Sequence, residues 1–156
     1  MDKEGVDYAD VLKDAQVLGY AESDPAADVE GSDAADKIAI LSGLAFGGAI
    51  NRAHIPTTGI NLLEAIDVNY ARKLGYGIKL LAISEKGATQ PSKEDSQPLS
   101  IWVEPTLVPE DNPLAGVNGV NNAILVEGNP IGQVMFFGPG AGSGPTASAV
   151  VADILN

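Results

Sequence analysis

The sequence predicts a mixed α+β domain, in which a mostly antiparallel sheet of about four or more strands carries helices packed on one face. Three observations lead to this class. Helical apolar patterns occupy the first half of the chain, four short segments rich in β-branched residues follow, and a last helical pattern reaches the C-terminus. Because the strand segments are consecutive and joined by polar turns, antiparallel pairing is expected.

The helical patterns are four in number. Residues 5–18 repeat apolar side chains at three- and four-residue spacings up to a glycine, which predicts a first helix. Ser32 is the predicted N-cap of a second helix, whose run AADKIAILSGLAFGG becomes apolar almost all round, so its far half is expected to be buried. Asn61 and Glu64 have the form of a capping box and predict a third helix, while Pro145 suits the first turn of a fourth.

The strand segments are bounded by Gly, Pro or Asn and lie at 78–84, 99–104, 122–127 and 131–137. The polar run GATQPSKEDSQP joins the first two, and EGNP makes a tight connection between the last two. Between the first and second helices, YAESDPAADVEGSD has a composition that neither a helix nor a strand favours. This acidic stretch is predicted to be an ordered or functional loop.

Composition and charge narrow the function classes. A chain of 156 residues can bury the core of one domain, and nine basic against twenty-one acidic residues give a formal net charge of -12. Such a charge repels phosphate backbones and anionic membranes, so no nucleic-acid or membrane partner is expected. The lack of cysteine and the single histidine, His54, leave little for thiolate chemistry, a histidine metal cage or a catalytic triad. We expect His54 to be structural, and the absence of a signal-like or spanning segment predicts a cytoplasmic setting.

Asp33 and Lys37 stand four residues apart, so their side chains leave the same face of the predicted second helix. Most pairs of this kind are surface ion pairs worth only about 0.3–0.5 kcal/mol. Lys37, however, directly precedes the apolar run IAILSGLAF and is expected to be partly removed from water. Such burial lowers the pKa of a lysine toward the range useful for proton transfer, so the pair is a candidate acid–base couple.

The acidic stretch places five carboxylates close together, and their mutual repulsion is costly unless a cation or a protonated amine neutralises it. The five are Glu22, Asp24, Asp28, Glu30 and Asp33. A solvated loop is the plain alternative. A divalent-cation site is compatible with the composition, but the spacing does not match an EF-hand loop and no metal site is assigned. Farther on, GPGAGSG fits neither a dinucleotide fingerprint nor a P-loop, so its glycines predict either backbone close to a ligand or another segment, or a plain flexible turn.

Three segments together resemble homoserine dehydrogenase: LKDAQVLGYAESDPAADVEGSDAADKIAILSGLAFG at 12–47, NLLEAIDVNYARKLGYGIKLLA at 61–82, and VNNAILVEGNPIGQVMFFGPGAGSGPTASAVVADI at 120–154. The first carries the pattern G-Y-x-E-x-D-P-x-x-D-x-x-G-x-D-x-x-x-K, which is long and chemically unusual. The resemblance implies reversible oxidation of L-homoserine to L-aspartate 4-semialdehyde with NAD or NADP, on the route to threonine and methionine.

The resemblance also implies roles, carried over by position in this sequence. Lys37 is similar to the lysine that handles the proton of the hydroxyl or carbonyl, and Asp33 to its orienting partner. Glu22 is similar to the carboxylate that holds the substrate's amino group. Asp28 is similar to a second acidic residue of the pocket, and Tyr20 to a residue near the substrate carboxylate.

The family's organisation implies that residues 1–137 form a substrate-binding, catalytic and dimerisation domain, with a homodimer as the expected assembly. Residues 138–156 would return to a nucleotide-binding domain, with Gly138, Gly140 and Gly142 beside the nicotinamide. The family's Rossmann domain, a further substrate-contacting lysine and a sodium-binding segment are not in this sequence, so we expect no hydride transfer by the isolated chain. Two other functions stay open: a non-catalytic small-molecule or metal-binding module, and a structural oligomerisation domain.

Overall fold

A computed structural model describes residues 16–17, 24–87, 98–140 and 142–155. The elements in these ranges are α1 (Ala26–Val29), α2 (Ser32–Phe46), α3 (Ala65–Lys73), β1 (Tyr76–Lys86), β2 (Leu99–Pro109), β3 (Asn121–Gly128), β4 (Gly132–Pro139) and α4 (Ser143–Leu155). Two short 3-10 turns, Arg52–His54 and Pro113–Gly116, accompany them. The predicted α+β class is confirmed.

All four predicted strands are present, and they form two two-stranded sheets rather than a single sheet. β1 and β2 are antiparallel and eleven residues long, which is longer than predicted. Their pairing is closed at one end by Gly87 N–H donating to Pro98 O at 2.9 Å, and at the other by Glu110 N–H donating to Gly75 O at 3.0 Å. β3 and β4 pair antiparallel through the tight turn predicted between them.

The chain divides into two compact units. The first comprises Asp24–Glu64 and Ile78–Leu107, and the second includes Ala65–Gly77 and Val108–Asn156. In the first unit, α2 packs on one face of the β1–β2 sheet. The core residues there are Ala35, Ile55 and Val103, with Ala34, Ile38, Ala39, Ile50, Leu80, Ala82 and Ile101 packed against them. The strand members alternate in sequence, as side chains on one sheet face must, so helix packing on one face is confirmed for this unit.

A short extended segment after the first 3-10 turn lies along β2 and holds α1 in place. Thr57 forms a parallel bridge with Val103, and Thr58 N–H donates to Val103 O at 2.8 Å. Ile60 N–H then donates to Val29 O at 2.8 Å. The end of α1 is therefore tied by backbone hydrogen bonds to the strand that carries the core.

The acidic stretch is not wholly a loop, because it contains α1. Asp24 Oδ1 accepts from Ala26 N–H at 3.1 Å at the helix start, and Ile60 N–H satisfies Val29 O at its end. Tertiary hydrogen bonding therefore supports a four-residue helix that its composition alone does not favour. An acidic side chain directly before Pro25 is a helix-start signal that could have located it.

The residue in the N-cap position of α2 is Gly31, and the prediction that Ser32 occupies it is wrong. Gly31 is buried with φ of 82°, and a Cβ there would lie 3.2 Å from Thr57 Cγ2 and 3.3 Å from Val103 Cγ1. Glycine alone takes this conformation and this space without strain. The Ser32 hydroxyl donates instead to Ala27 O at 3.2 Å.

In the second unit, Ala71 of α3 and Val108 are buried. α3 begins at Ala65, so Asn61 lies in the preceding turn and not at a capping position. The last predicted helix is confirmed as α4, with Pro145 in its first turn. Apart from Gln16 and Val17, which are helical, the predicted first helix lies outside the described residues, as do positions 88–97 of the polar turn. No helix in the described ranges is long and apolar enough to cross a membrane.

Candidate active site

The ion pair predicted from sequence spacing is formed on α2. Lys37 Nζ donates to Asp33 Oδ2 at 2.6 Å, across one helical turn. The two side chains are 59% and 42% exposed, respectively, so the partial burial predicted for Lys37 is wrong for this chain. The reason is the choice of helix face: α2 rests on the sheet through Ala35 and Ala39, and Lys37 leaves from the other side.

The far half of α2 is also less buried than predicted. Ile40 is 66% exposed and Leu44 is 79% exposed. Both continue the three- and four-residue spacing that begins with Asp33 and Lys37, so the four side chains share one outward face of the helix. We call these four residues the outer stripe. It presents a carboxylate, an ammonium group and then two apolar side chains.

The carboxylates of the acidic stretch fall into two groups. Asp24 is engaged by the start of α1, and Asp33 by Lys37. Asp28 and Glu30 are exposed, and within the described ranges their carboxylates make no hydrogen bond or ion pair. These two carboxylates are therefore available to a cationic group. Tyr20 and Glu22, also predicted as site residues, lie outside the described residues.

Arg52 contacts the start of α2, and the sequence did not predict this contact. Its Nε donates to Asp36 Oδ1 at 2.6 Å, and its Nη2 donates to Ser32 O at 3.3 Å. Both acceptors lie at the N-terminal end of α2, at the positions directly before Asp33 and Lys37. One feature of the sequence could have indicated an ion pair with the acidic residues of α2. Apart from His54, Arg52 is the single basic residue between Lys37 and Arg72.

The three glycines predicted to contact the cofactor differ in the structural reason for a glycine at each position. A Cβ at Gly140 would overlap the Asn122 amide, so the chain's own packing excludes a side chain there. Gly142 has φ of 115°, a conformation that favours glycine. A Cβ at Gly138 would meet nothing within 4 Å, which leaves this backbone open to a ligand.

The part of the chain that the structure describes forms neither a complete dinucleotide site nor a metal site. The GPGAGSG loop carries no basic side chain for phosphates. No three His, Asp or Glu side chains of the described ranges come together as metal ligands, and His54 is exposed at the end of its 3-10 turn. The described site is thus the Lys37–Asp33 ion pair, with two neighbouring carboxylates whose side chains have no partner among the described residues.

Comparison with known proteins gives one consistent family. The homoserine dehydrogenase family model matches residues 1–155. A homoserine dehydrogenase of Synechocystis is 56% identical over 156 residues, which cover all of this chain and 35% of that protein. The crystal structure of a homoserine dehydrogenase from Thiobacillus denitrificans matches with a TM-score of 0.87 and 47% identity, over 99% of this chain and 34% of that one.

A hyperthermophilic archaeal homoserine dehydrogenase in complex with NADPH matches with a TM-score of 0.66 and 30% identity, over 97% of this chain and 40% of that one. The chain spans about a third of the length of the curated relatives it matches. With nearly every residue covered by the family model, the chain belongs to the homoserine dehydrogenase family.

Proposed function

We propose that this chain supplies the substrate-binding and catalytic residues of a homoserine dehydrogenase, which interconverts L-homoserine and L-aspartate 4-semialdehyde with NAD or NADP. The observation that carries the proposal is the Lys37–Asp33 pair, whose atoms lie 2.6 Å apart within the family-typical acidic pattern. Family membership supports the reaction class, and the pair supports the proton chemistry that this class needs.

Lys37 is the acid–base residue in this proposal. When the aldehyde is reduced, negative charge develops on its oxygen, and an ammonium group at that oxygen stabilises the charge and then gives up a proton. In the opposite direction the same amine takes the proton of the hydroxyl. Asp33 orients Lys37 through their hydrogen bond. NAD or NADP, when bound, accepts or supplies the hydride.

The free carboxylates suit the ammonium group of an amino-acid substrate. Asp28 is exposed and unpaired in the described ranges, and it precedes Asp33 by five positions, across a segment tied to the sheet through Ile60. We assign Asp28, with Glu22, to the substrate's ammonium and Tyr20 to the neighbourhood of its carboxylate.

Cofactor contact is assigned to the loop that holds Gly138, Gly140 and Gly142. The open space at Gly138 supports a close approach of its backbone to the nicotinamide. A nucleotide-binding domain would provide the rest of the cofactor site, so the isolated chain is expected to turn nothing over. We further propose that residues 1–137 are the substrate and dimerisation part of a homodimer, that 138–156 return to the nucleotide-binding domain, and that the enzyme serves threonine and methionine synthesis in the cytoplasm.

A chimera tests the proposal. This chain would replace the matching 156 residues of the Synechocystis relative, and homoserine-dependent formation of NADPH and NADH would be followed. Lys37→Ala should lower kcat by about 10²-fold or more, since a positioned acid–base group contributes about 10²–10⁴-fold. Lys73→Ala is the matched control, because Lys73 is an exposed helical lysine that lies 5.8 Å from the Tyr70 ring.

Two results would overturn the assignment. One is a Lys37→Ala chimera that is folded and as active as the Lys73→Ala control. The other is a folded wild-type chimera that binds cofactor and does not oxidise homoserine, which would favour a non-catalytic binding module.

A further inference from the structure

Two side-chain contacts lie next to each other at the N-terminal end of α2. The first is the ion pair between Lys37 and Asp33, at 2.6 Å. Arg52 makes the second, from Nε to Asp36 Oδ1 at 2.6 Å and from Nη2 to Ser32 O at 3.3 Å. Ser32 and Asp36 directly precede Asp33 and Lys37 in the sequence. Arg52 therefore binds two positions of α2 that are each one residue before a member of the ion pair.

The backbone of Arg52 is anchored from the core of the first unit. Arg52 opens a 3-10 turn that is capped by Asn51, whose Oδ1 accepts from Ala53 N–H at 3.1 Å. Ile55, which follows the turn, is 6% exposed and belongs to the core on which α2 packs. The link that Arg52 makes thus joins a fixed backbone to the helix. The Lys37–Asp33 pair lacks such an anchor, because both of its side chains belong to α2 and their bond ties the helix to no other segment.

The chemistry of the guanidinium suits this task. Its planar fork carries several N–H donors, which lets one side chain bind a carboxylate and a backbone carbonyl together. The guanidinium pairs with Asp36, and Lys37 pairs with Asp33, the carboxylate one helical turn before it. A lysine at position 52 would keep the charge but lose the fork.

We infer that Arg52 is a positioning residue for the Lys37–Asp33 pair: through Asp36 and Ser32 it fixes the helical turn that sets the location of Lys37 Nζ. This inference rests on the function proposed above for that pair. Arg52 touches no reacting atom, and its effect is exerted through α2.

The test uses the same full-length chimera, with steady-state kinetics in which homoserine is varied. Arg52→Gln should lower kcat by about tenfold and change KM for homoserine by less than about twofold. The reason is that displacing an acid–base group reduces stabilisation of the transition state more than it reduces affinity for the substrate. Asp36→Ala should lower kcat in the same way but by less, because Arg52 keeps its bond to Ser32 O. The double variant should be no slower than Arg52→Gln alone, because Arg52→Gln already removes both bonds. Arg52→Lys should recover part of kcat.

Structural loss is separated from mispositioning by measuring thermal unfolding of every variant and correcting kcat for the folded fraction. Lys73→Gln, on the exposed surface of α3, is the control for loss of a basic side chain and should keep wild-type kcat. The inference is overturned, and the proposed function survives, if Lys37→Ala is inactive while Arg52→Gln keeps wild-type corrected kcat. Additive losses in the double variant would overturn it as well. If Lys37→Ala stays active, both the proposed function and this inference are refuted.

Discussion

Replacing Gly59 by alanine should move the end of α1 away from the extended segment that ties it to β2. A Cβ at this position would overlap the Val29 carbonyl oxygen and lie 2.6 Å from Glu30 Cα and 2.9 Å from Glu30 C. All three are backbone atoms, so no side-chain rotation relieves the overlap and the two segments must move apart. The hydrogen bond from Ile60 N–H to Val29 O, at 2.8 Å, crosses the same gap and would be weakened or lost.

The magnitude follows from these two effects. Overpacking costs about 1–3 kcal/mol, and a lost backbone hydrogen bond adds about 0.5–1.5 kcal/mol. The free energy of unfolding should therefore fall by roughly 2–4 kcal/mol. In a chain of 156 residues each kcal/mol lowers Tm by about 2–4 °C, which gives a decrease of roughly 5–15 °C.

Thermal unfolding followed by far-ultraviolet circular dichroism measures this decrease. Gly77→Ala in β1 is the control, because a Cβ there would meet nothing within 4 Å, and its Tm should equal or exceed that of the wild type. In the chimera, Gly59→Ala should also raise KM for homoserine as Asp28 is displaced. Equal Tm values for the two alanine variants would refute the close backbone approach at Gly59.

The remaining predictions concern a buried hydroxyl and a crowded glycine, and urea unfolding checks both. Ser42 is 1% exposed and its Oγ has no hydrogen-bond partner in the described part of the chain, so Ser42→Ala should stabilise the protein by about 1 kcal/mol. Ser32→Ala should be about 1–2 kcal/mol less stable than Ser42→Ala, because it loses the bond to Ala27 O; equal stabilities would contradict this. Gly140→Ala should destabilise the chain through overlap with the Asn122 amide. Asn122→Ala should restore most of that loss, and simple additivity would argue against the overlap.

Local signals account for what the sequence predicted well. Runs of β-branched residues located all four strands, and periodic apolar patterns located α2, α3 and α4, because these patterns arise within single elements. The N-cap of α2 was missed for the opposite reason. Glycine is required at position 31 by Thr57 and Val103, which are distant in the sequence, so the polar residue that looked like a cap was chosen instead.

The same division applies to the candidate site. The spacing of Asp33 and Lys37 predicted their contact because one helix fixes it. Their exposure depends on which face of α2 meets the sheet, and the run after Lys37 is apolar on every face, so periodicity could not choose. The link between Arg52 and Asp36 spans sixteen residues and a chain reversal, which no local pattern encodes.

The exposure of the Lys37–Asp33 pair bears on where its catalytic power would come from. An ion pair this exposed is worth only about 0.3–0.5 kcal/mol, so it neither holds Lys37 still nor keeps water away. Proton transfer at a substrate oxygen needs a fixed geometry and a site from which water is excluded. In the proposed enzyme, Arg52 contributes to the first need. Its pair with Asp36 is also exposed, at 36% and 66%, but its second bond reaches the backbone carbonyl of Ser32 and ties α2 to another segment. The second need must be met by groups outside α2, because the rest of the outer stripe, Ile40 and Leu44, is itself exposed. Lys37 should therefore act as an ordinary surface lysine in the isolated chain and as an acid–base residue only in the chimera.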